Sequence, residues 1–177
     1  MNAQADEKEL LGQLEDGPLT RFRDWDPRTD RLSEKGAGVY TIWNREGELM
    51  YVGVGGRPSA GAPQGRGLFG RLKAHASGVR SGDQFCVYVA DRLVLPGLSR
   101  QEIVDISERE ASFDKKVREY VHEHLGFRWG TARDFQAAIA TEESIKAGIL
   151  RAGPPRLNPS TRPPAAKKTT RERRLSE

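Results

Sequence analysis

Apolar residues fall into helical and strand periods in clear succession along the chain. Leu10, Leu11 and Leu14 recur at helical spacing in EKELLGQLEDG, and Gly17-Pro18 ends the pattern, which predicts a short amphipathic N-terminal helix. A loop-like stretch follows. GVYTIW (38–43) and ELMYVGV (48–54) are two β-rich runs separated by polar NREG, the pattern of a hairpin. With the loop at 44–47, Trp43 faces Glu48 and Tyr40 sits directly across from Tyr51 on one face. A one-residue slip would put the two rings on opposite faces. Residues 53–70 then hold seven glycines, and a short helix, LFGRLKAHA, has Leu68 and Leu72 on its apolar side. Arg71 and His75 are spaced i, i+4, so both project from one face, while Lys73 points elsewhere.

Downstream, QFCVYVADRLVL (84–95) predicts a central strand, with Cys86 as core filler. Ser99 and Glu102 form a capping box. Ile103, Ile106, Phe113, Val117, Tyr120 and Val121 at helical spacing predict one or two helices up to Leu125. GFRW (126–130) predicts a short edge strand. Thr131 and Asp134 form a second capping box before DFQAAIATEESIKAGIL, whose apolar face carries Phe135, Ala138, Ile145 and Ile149 and whose end is expected near Gly153-Pro154-Pro155. Glu142 lies on that face, and Glu143 is turned about 100° away. A charged carboxylate on a packing face costs several kcal/mol if unpaired. Glu142 therefore either snorkels out at the boundary or is kept there for a function.

Composition narrows the class. The 177 residues are 36% hydrophobic, enough for a core. No run approaches the ~18 apolar residues of a membrane span, and MNAQADEKEL has no secretory pattern. The single Cys86 excludes an internal disulfide and a thiolate zinc site. His122 and His124, two apart on a helix, face different ways and are rejected as a metal pair. The expectation is a soluble cytoplasmic protein without a membrane partner. Its net charge of +4 resides in the tail from 159 to 177, which has six bases against two acids and the composition of a disordered segment. The neutral body hides a local patch: Arg57, Arg66, Arg71, Lys73 and Arg80 lie between Glu48 and Asp83 with no acid among them. Such a patch suits a phosphate backbone or another anion.

GVY (38–40), YVG (51–53), Arg71 in a short helix, a Glu in a later helix and Asn158 occur in the order that resembles the GIY-YIG nuclease family. The resemblance covers residues 38–159. It implies an α/β fold, a small antiparallel sheet of about three strands flanked by helices, cleaving phosphodiesters with one divalent metal. Residues 1–35 are then an N-terminal helical extension, 36–158 the nuclease-like domain, 99–125 a helical insertion after the third strand, and 159–177 the basic tail. By the resemblance, Tyr40 and Tyr51 are the two motif tyrosines, Arg71 the catalytic arginine, Glu142 the metal-binding glutamate and Asn158 the terminal asparagine. His75 resembles the Arg-x-x-x-His arrangement of the family's restriction-enzyme branch. The interval from Glu142 to Asn158 is longer than usual, which keeps Glu143 as an alternative metal ligand.

Phosphodiester hydrolysis asks for these residue types. A carboxylate such as Glu142 can hold Mg2+ or Mn2+ to polarise the phosphate and stabilise the leaving oxygen. Arg71 can bind two phosphate oxygens through its fork. Tyr40 is the candidate general base, or a relay to His75, and a free phenol near pKa 10 would need lowering for the first role. Tyr51 is expected to orient water or phosphate, and Asn158 to hold the site together by hydrogen bonds. Arg57, Arg66, Lys73 and Arg80 are candidate DNA contacts, mostly to the backbone. The expected activity is a metal-dependent DNA endonuclease of defence or repair; a non-catalytic nucleic-acid-binding module and a small-anion binder on the glycine loop are the competing readings. RNA is the less favoured substrate. Cutting both strands needs a homodimer on DNA or two encounters, and the sequence leaves both open.

Overall fold

The computed structural model describes residues 3–27, 32, 36–58 and 67–159; the tail from 160 and Arg66 lie outside them. Helix α1 (Ala3–Asp16) forms as expected, with Leu10 and Leu14 buried. After the two-residue strand β1 (Thr20–Arg21) come β2 (Gly38–Trp43) and β3 (Leu49–Gly55), the expected hairpin. At the tyrosines its register differs from the expected one by two residues. Asn44 Oδ1 accepts the Glu48 N–H at 2.8 Å, which draws Glu48 into the turn. Trp43 therefore pairs with Leu49, and a bulge at Met50 then sets Ile42 opposite Tyr51 and Tyr40 opposite Gly53. From Tyr51 onward the slip is of two, which keeps each side chain on its face, so the Tyr40 and Tyr51 rings still meet, with centroids 6.3 Å apart.

Helix α2 (Gly67–Ser77) follows, and then α3 (Gln84–Val89), continued by a π-helical turn at Ala90–Val94 and a 3-10 turn at Leu95–Gly97. The central strand expected over 84–95 is thus a helix. Phe85, Cys86, Val89, Ala90 and Val94 are buried, a stripe at helical spacing that outweighs the β propensity of Phe, Tyr and Val. Asp83 starts it, its Oδ1 accepting the N–H groups of Phe85 and Cys86. Helix α4 (Arg100–Ser107) opens with the expected Ser99–Glu102 capping box, and α5 (Phe113–His124) buries Val117 and Val121. Both helices precede β4 (Gly126–Thr131), so they do not follow a third strand.

The expected edge strand at 126–130 is interior: the antiparallel sheet runs β1-β4-β2-β3, because β1 pairs with the outer side of β4. The sheet therefore has four strands rather than three. Helix α6 (Phe135–Lys146) is capped by Asp134 alone, which accepts from Ala137 N. It stops well short of Gly153. Ala147 caps it and Gly148 takes φ +93, a left-handed conformation that glycine adopts without strain. Ile149 consequently leaves the helix and is 60% exposed, while Leu150 is buried in its stead.

Strand alternation divides the hairpin's side chains between two cores, and the bulge sets Met50 on the same side as Tyr51. Tyr40, Ile42, Met50 and Tyr51 pack with Leu68, Leu72, Phe85, Val89 and Val121 under α2, α3 and α5. Val39, Trp43, Leu49 and Val52 pack on the opposite face with Leu10, Leu14, Ala138 and Ile145 of α1 and α6. The result is an α/β architecture with helices on both faces of the sheet. Among the described residues no helix is long and apolar enough to cross a membrane.

Candidate active site

Two glycines let the site close up. A Cβ at Gly38 would lie 2.7 Å from the Leu68 side chain and 2.8 Å from the Gly130 carbonyl. A Cβ at Gly53 would collide with the phenol of Tyr40, its cross-strand partner. The Tyr40 ring thus lies over bare backbone, fully buried, and its hydroxyl reaches His75 Nε2 at 2.7 Å. His75 is also fully buried, and its Nδ1 lies 2.6 Å from Asp83 Oδ2. The i, i+4 spacing of Arg71 and His75 brings both to Tyr40, with the Arg71 guanidinium near enough for its charge to favour the ionised phenol. Tyr51 completes the cluster, with its ring 6.0 Å from His75 and 5.2 Å from Phe85.

Burial dominates the electrostatics. It raises the Tyr40 phenol well above its ordinary value, with Tyr51 and the Asp83 carboxylate adding to it and Arg71 opposing. Burial also pushes Tyr51 up to about 12, against Arg71 and with Glu142. Neither phenol is a phenolate at neutral pH, so the lowered tyrosine pKa that a tyrosine base would need is not met. Burial lowers His75 despite the hydrogen bond and charge of Asp83, which holds it as a neutral imidazole. For Asp83, burial opposes ionisation, but the His75 hydrogen bond and charge, the Cys86 N–H and Arg71 outweigh it and hold the carboxyl below its usual range. Cys86, pushed up to about 12 by burial and then by Asp83 and Asp114, is a core thiol and no nucleophile.

A cleft of about 780 Å³, which shares Arg71 with this cluster, opens beside the end of β3, an edge strand. Arg71 and Ala74 of α2 form one wall, Phe135, Ile139 and Glu142 of α6 the other, and Val54 to Arg57 the floor. Arg71 and Glu142 therefore meet across one space although 71 positions separate them. The Glu142 side chain is only 16% exposed and pairs with Lys146 Nζ at 2.9 Å. Glu143, the alternative, is exposed and does not line the cleft. Among the described residues no three His, Cys, Asp or Glu side chains gather as a ligand group, a set unsuited to zinc. A single carboxylate that gives up its Lys146 partner beside open space fits Mg2+ or Mn2+, which keep several waters and take phosphate oxygens as further ligands.

Asn158 stands apart from the cleft. Its Oδ1 accepts Val52 N–H at 2.8 Å and its Nδ2 donates to Val52 C=O at 3.0 Å. With Arg156 N donating to Leu49 O and Leu157 N to Met50 O, it covers the outer edge of β3. These bonds hold the outer edge of β3 next to Tyr51. Of the four candidate DNA contacts, Arg57 alone among the described ones lines the cleft. Lys73 is exposed on α2, with its Nζ 6.0 Å from the Phe69 ring. Arg80 pairs with Asp114 at 2.6 Å and lies 4.5 Å over the Phe113 ring, which anchors the loop leading to Asp83. Sequence reasoning missed Asp83 altogether. The signal available for it is a helix cap, which a strand over 84–95 conceals.

The chain matches no family model, no curated protein and no solved structure with which it was compared.

Proposed function

We propose that the protein is a metal-dependent endonuclease that hydrolyses DNA phosphodiester bonds in the cleft beside β3, a chemistry consistent with the resemblance to GIY-YIG nucleases. The observation that carries this reading is the meeting of Arg71 and Glu142 across the cleft, with Arg71 also near the hydrogen-bonded Tyr40–His75 pair. An arginine fork, a carboxylate and a proton acceptor are the three needs of phosphodiester hydrolysis.

Arg57 and Arg71 draw a phosphate backbone into the cleft, and Arg71 grips two phosphate oxygens. Its guanidinium neutralises the charge that grows on the phosphoryl group, a contribution of about 10²–10³ in rate for one well-placed donor. Because Arg71 sits near the Tyr40 phenol, its turning toward the phosphate opens that hydroxyl to the cleft. Tyr40 then passes a proton from the attacking water to His75, which is neutral and accepts it; general-base help of this kind contributes about 10²–10⁴. Tyr51 stays protonated and orients the phosphate or water as a donor. Glu142 would hold Mg2+ or Mn2+, which supplies Lewis-acid polarisation of the phosphate and charge neutralisation at the leaving oxygen.

A plasmid-nicking assay at low salt with Mg2+ tests the cleft assignment by comparing Arg71→Ala with Arg80→Ala. Loss of cleavage in the first and retention in the second is expected. Equal loss in both would mean that general basicity, not the cleft, accounts for the activity. The competing reading, a nucleic-acid-binding module without turnover, draws on Lys146, which already occupies Glu142, and on the full burial of Tyr40. It predicts salt-sensitive DNA binding with no cleavage in any metal.

A further inference from the structure

We infer that Asp83 is a positioning residue that fixes the tautomer of His75 and so makes Tyr40–His75–Asp83 a one-way proton relay. The inference rests on the nuclease reading for its purpose but on separate observations for its geometry. His75 is held between two short contacts, Tyr40 Oη at Nε2 (2.7 Å) and Asp83 Oδ2 at Nδ1 (2.6 Å), with none of the three groups in bulk water. An ionised carboxylate only accepts hydrogen bonds, so Nδ1 must carry the hydrogen. Nε2 is then a lone pair, and the Tyr40 hydroxyl donates to it. The direction of the chain, from Tyr40 through His75 to Asp83, follows from which end is the carboxylate.

A capping role alone does not account for Asp83. Its Oδ1 accepts Phe85 N–H at 3.0 Å and Cys86 N–H at 3.3 Å, which any serine or asparagine could do from the same position. Oδ2 is spent on His75. Burying a carboxylate at 4% exposure is costly unless its charge is matched, and the charge becomes fully matched only when His75 takes a proton. The other ionisable groups around the imidazole are Tyr40 of β2, Tyr51 of β3, Arg71 of α2 and Cys86 of α3. Burial keeps both phenols and the thiol protonated, which leaves Arg71 as the opposing charge.

In the relay the water O–H bond breaks and its proton goes to Tyr40 Oη as the water oxygen attacks phosphorus; the P–O bond to the leaving oxygen breaks, and that oxygen takes a proton from solvent. The Tyr40 O–H bond breaks and that proton goes to Nε2. Tyr40 ends protonated as it began, His75 ends as imidazolium, and Asp83 keeps its negative charge beside it. His75 returns its proton by the reverse path once product has left. Asp83 exchanges no proton, as in the buried aspartate of serine-protease triads, where the amide replacement costs about 10⁴ in kcat through the wrong tautomer.

The test uses Asp83→Asn and Asp83→Ser in the full chain. The amide of Asp83→Asn keeps the capping oxygen but turns an N–H donor toward Nδ1, which forces the hydrogen onto Nε2. The chain has only three histidines, so long-range 1H–15N spectra resolve the imidazole tautomers, with His75→Gln assigning the signal. The wild type should show a neutral Nδ1–H tautomer at His75 and Asp83→Asn the Nε2–H tautomer. Plasmid cleavage by both variants should fall by about 10²–10⁴ in kcat with KM unchanged and with the histidine limb of the pH profile altered. An Nε2–H tautomer in the wild type, or cleavage by folded Asp83→Asn or Asp83→Ser within about threefold of wild type on the same pH profile, overturns the inference. If wild-type protein cleaves no DNA, the nuclease reading fails alone, and the tautomer in Asp83→Asn still upholds or overturns the positioning role.

Discussion

Replacing Asn158 by alanine separates two roles that a site residue can play. Its side chain satisfies both the N–H and the C=O of Val52, whose own side chain is fully buried against α1 and α6. Truncation orphans both groups. A buried backbone group left without a partner costs about 1–3 kcal/mol. Water entering at the sheet edge recovers part of this, so the sum should be about 2–4 kcal/mol. For a chain of this length about 2–4 °C of Tm accompanies each kcal/mol, hence a drop of roughly 5–15 °C. Urea unfolding followed by tryptophan fluorescence reads the change directly, since Trp43 lies on the adjoining strand β2 and Trp129 on β4 beyond it. Asn158→Asp should cost at least as much, because its oxygen would face the Val52 carbonyl that Nδ2 now donates to. An Asn158→Ala variant within about 0.5 kcal/mol of wild type but devoid of cleavage would refute the clamp and move Asn158 into the chemistry.

Three further outcomes follow from the geometry. Arg71→Lys keeps the charge but not the fork, so cleavage should fall about 10²-fold at unchanged fold stability, as measured by single-turnover kinetics and thermal melting. Gly53→Ala drives a methyl into the Tyr40 phenol; it should destabilise the fold by about 1–3 kcal/mol in urea and abolish the Tyr40–His75 hydrogen bond. His75 is lowered by burial from its ordinary value near 6.5, so the unfolded chain binds the extra proton first as pH falls. Stability should therefore be fully present above about pH 6.5 and decline on acidification toward the lowered folded value, and this slope should shrink in His75→Gln; a wild-type midpoint that rises from about pH 7 to pH 5 would contradict the neutral buried imidazole.

Much of the fold was legible because the signals were local. The hairpin, α1 and the Ser99 cap each rest on a few neighbouring residues. The same holds for the shared face of Tyr40 and Tyr51, since strand period survives an even slip. What was not legible depended on partners distant in sequence. Residues 84–95 carry strand-forming side chains, and only packing against α5 and the sheet decides for the helix. Residues 126–130 look like an edge because the strand that covers them, Thr20–Arg21, is two residues long. Of the site, Arg71, His75 and Glu142 were visible as residue types at telling spacings. The convergence of Arg71 with Glu142 required the packing of α2 and α6 on opposite faces of one sheet. Asp83 was hidden twice over, once by the strand assignment and once because a capping aspartate has an ordinary explanation.

The central claim is tested most directly by cleavage of supercoiled plasmid at low salt in Mg2+ or Mn2+, with Glu142→Ala and Glu143→Ala beside the wild type. Nicking by wild type and Glu143→Ala that disappears in EDTA and in Glu142→Ala is the predicted result. Undiminished cleavage by Glu142→Ala, or none by the wild type despite DNA binding, would contradict a metal-dependent nuclease centred on this cleft.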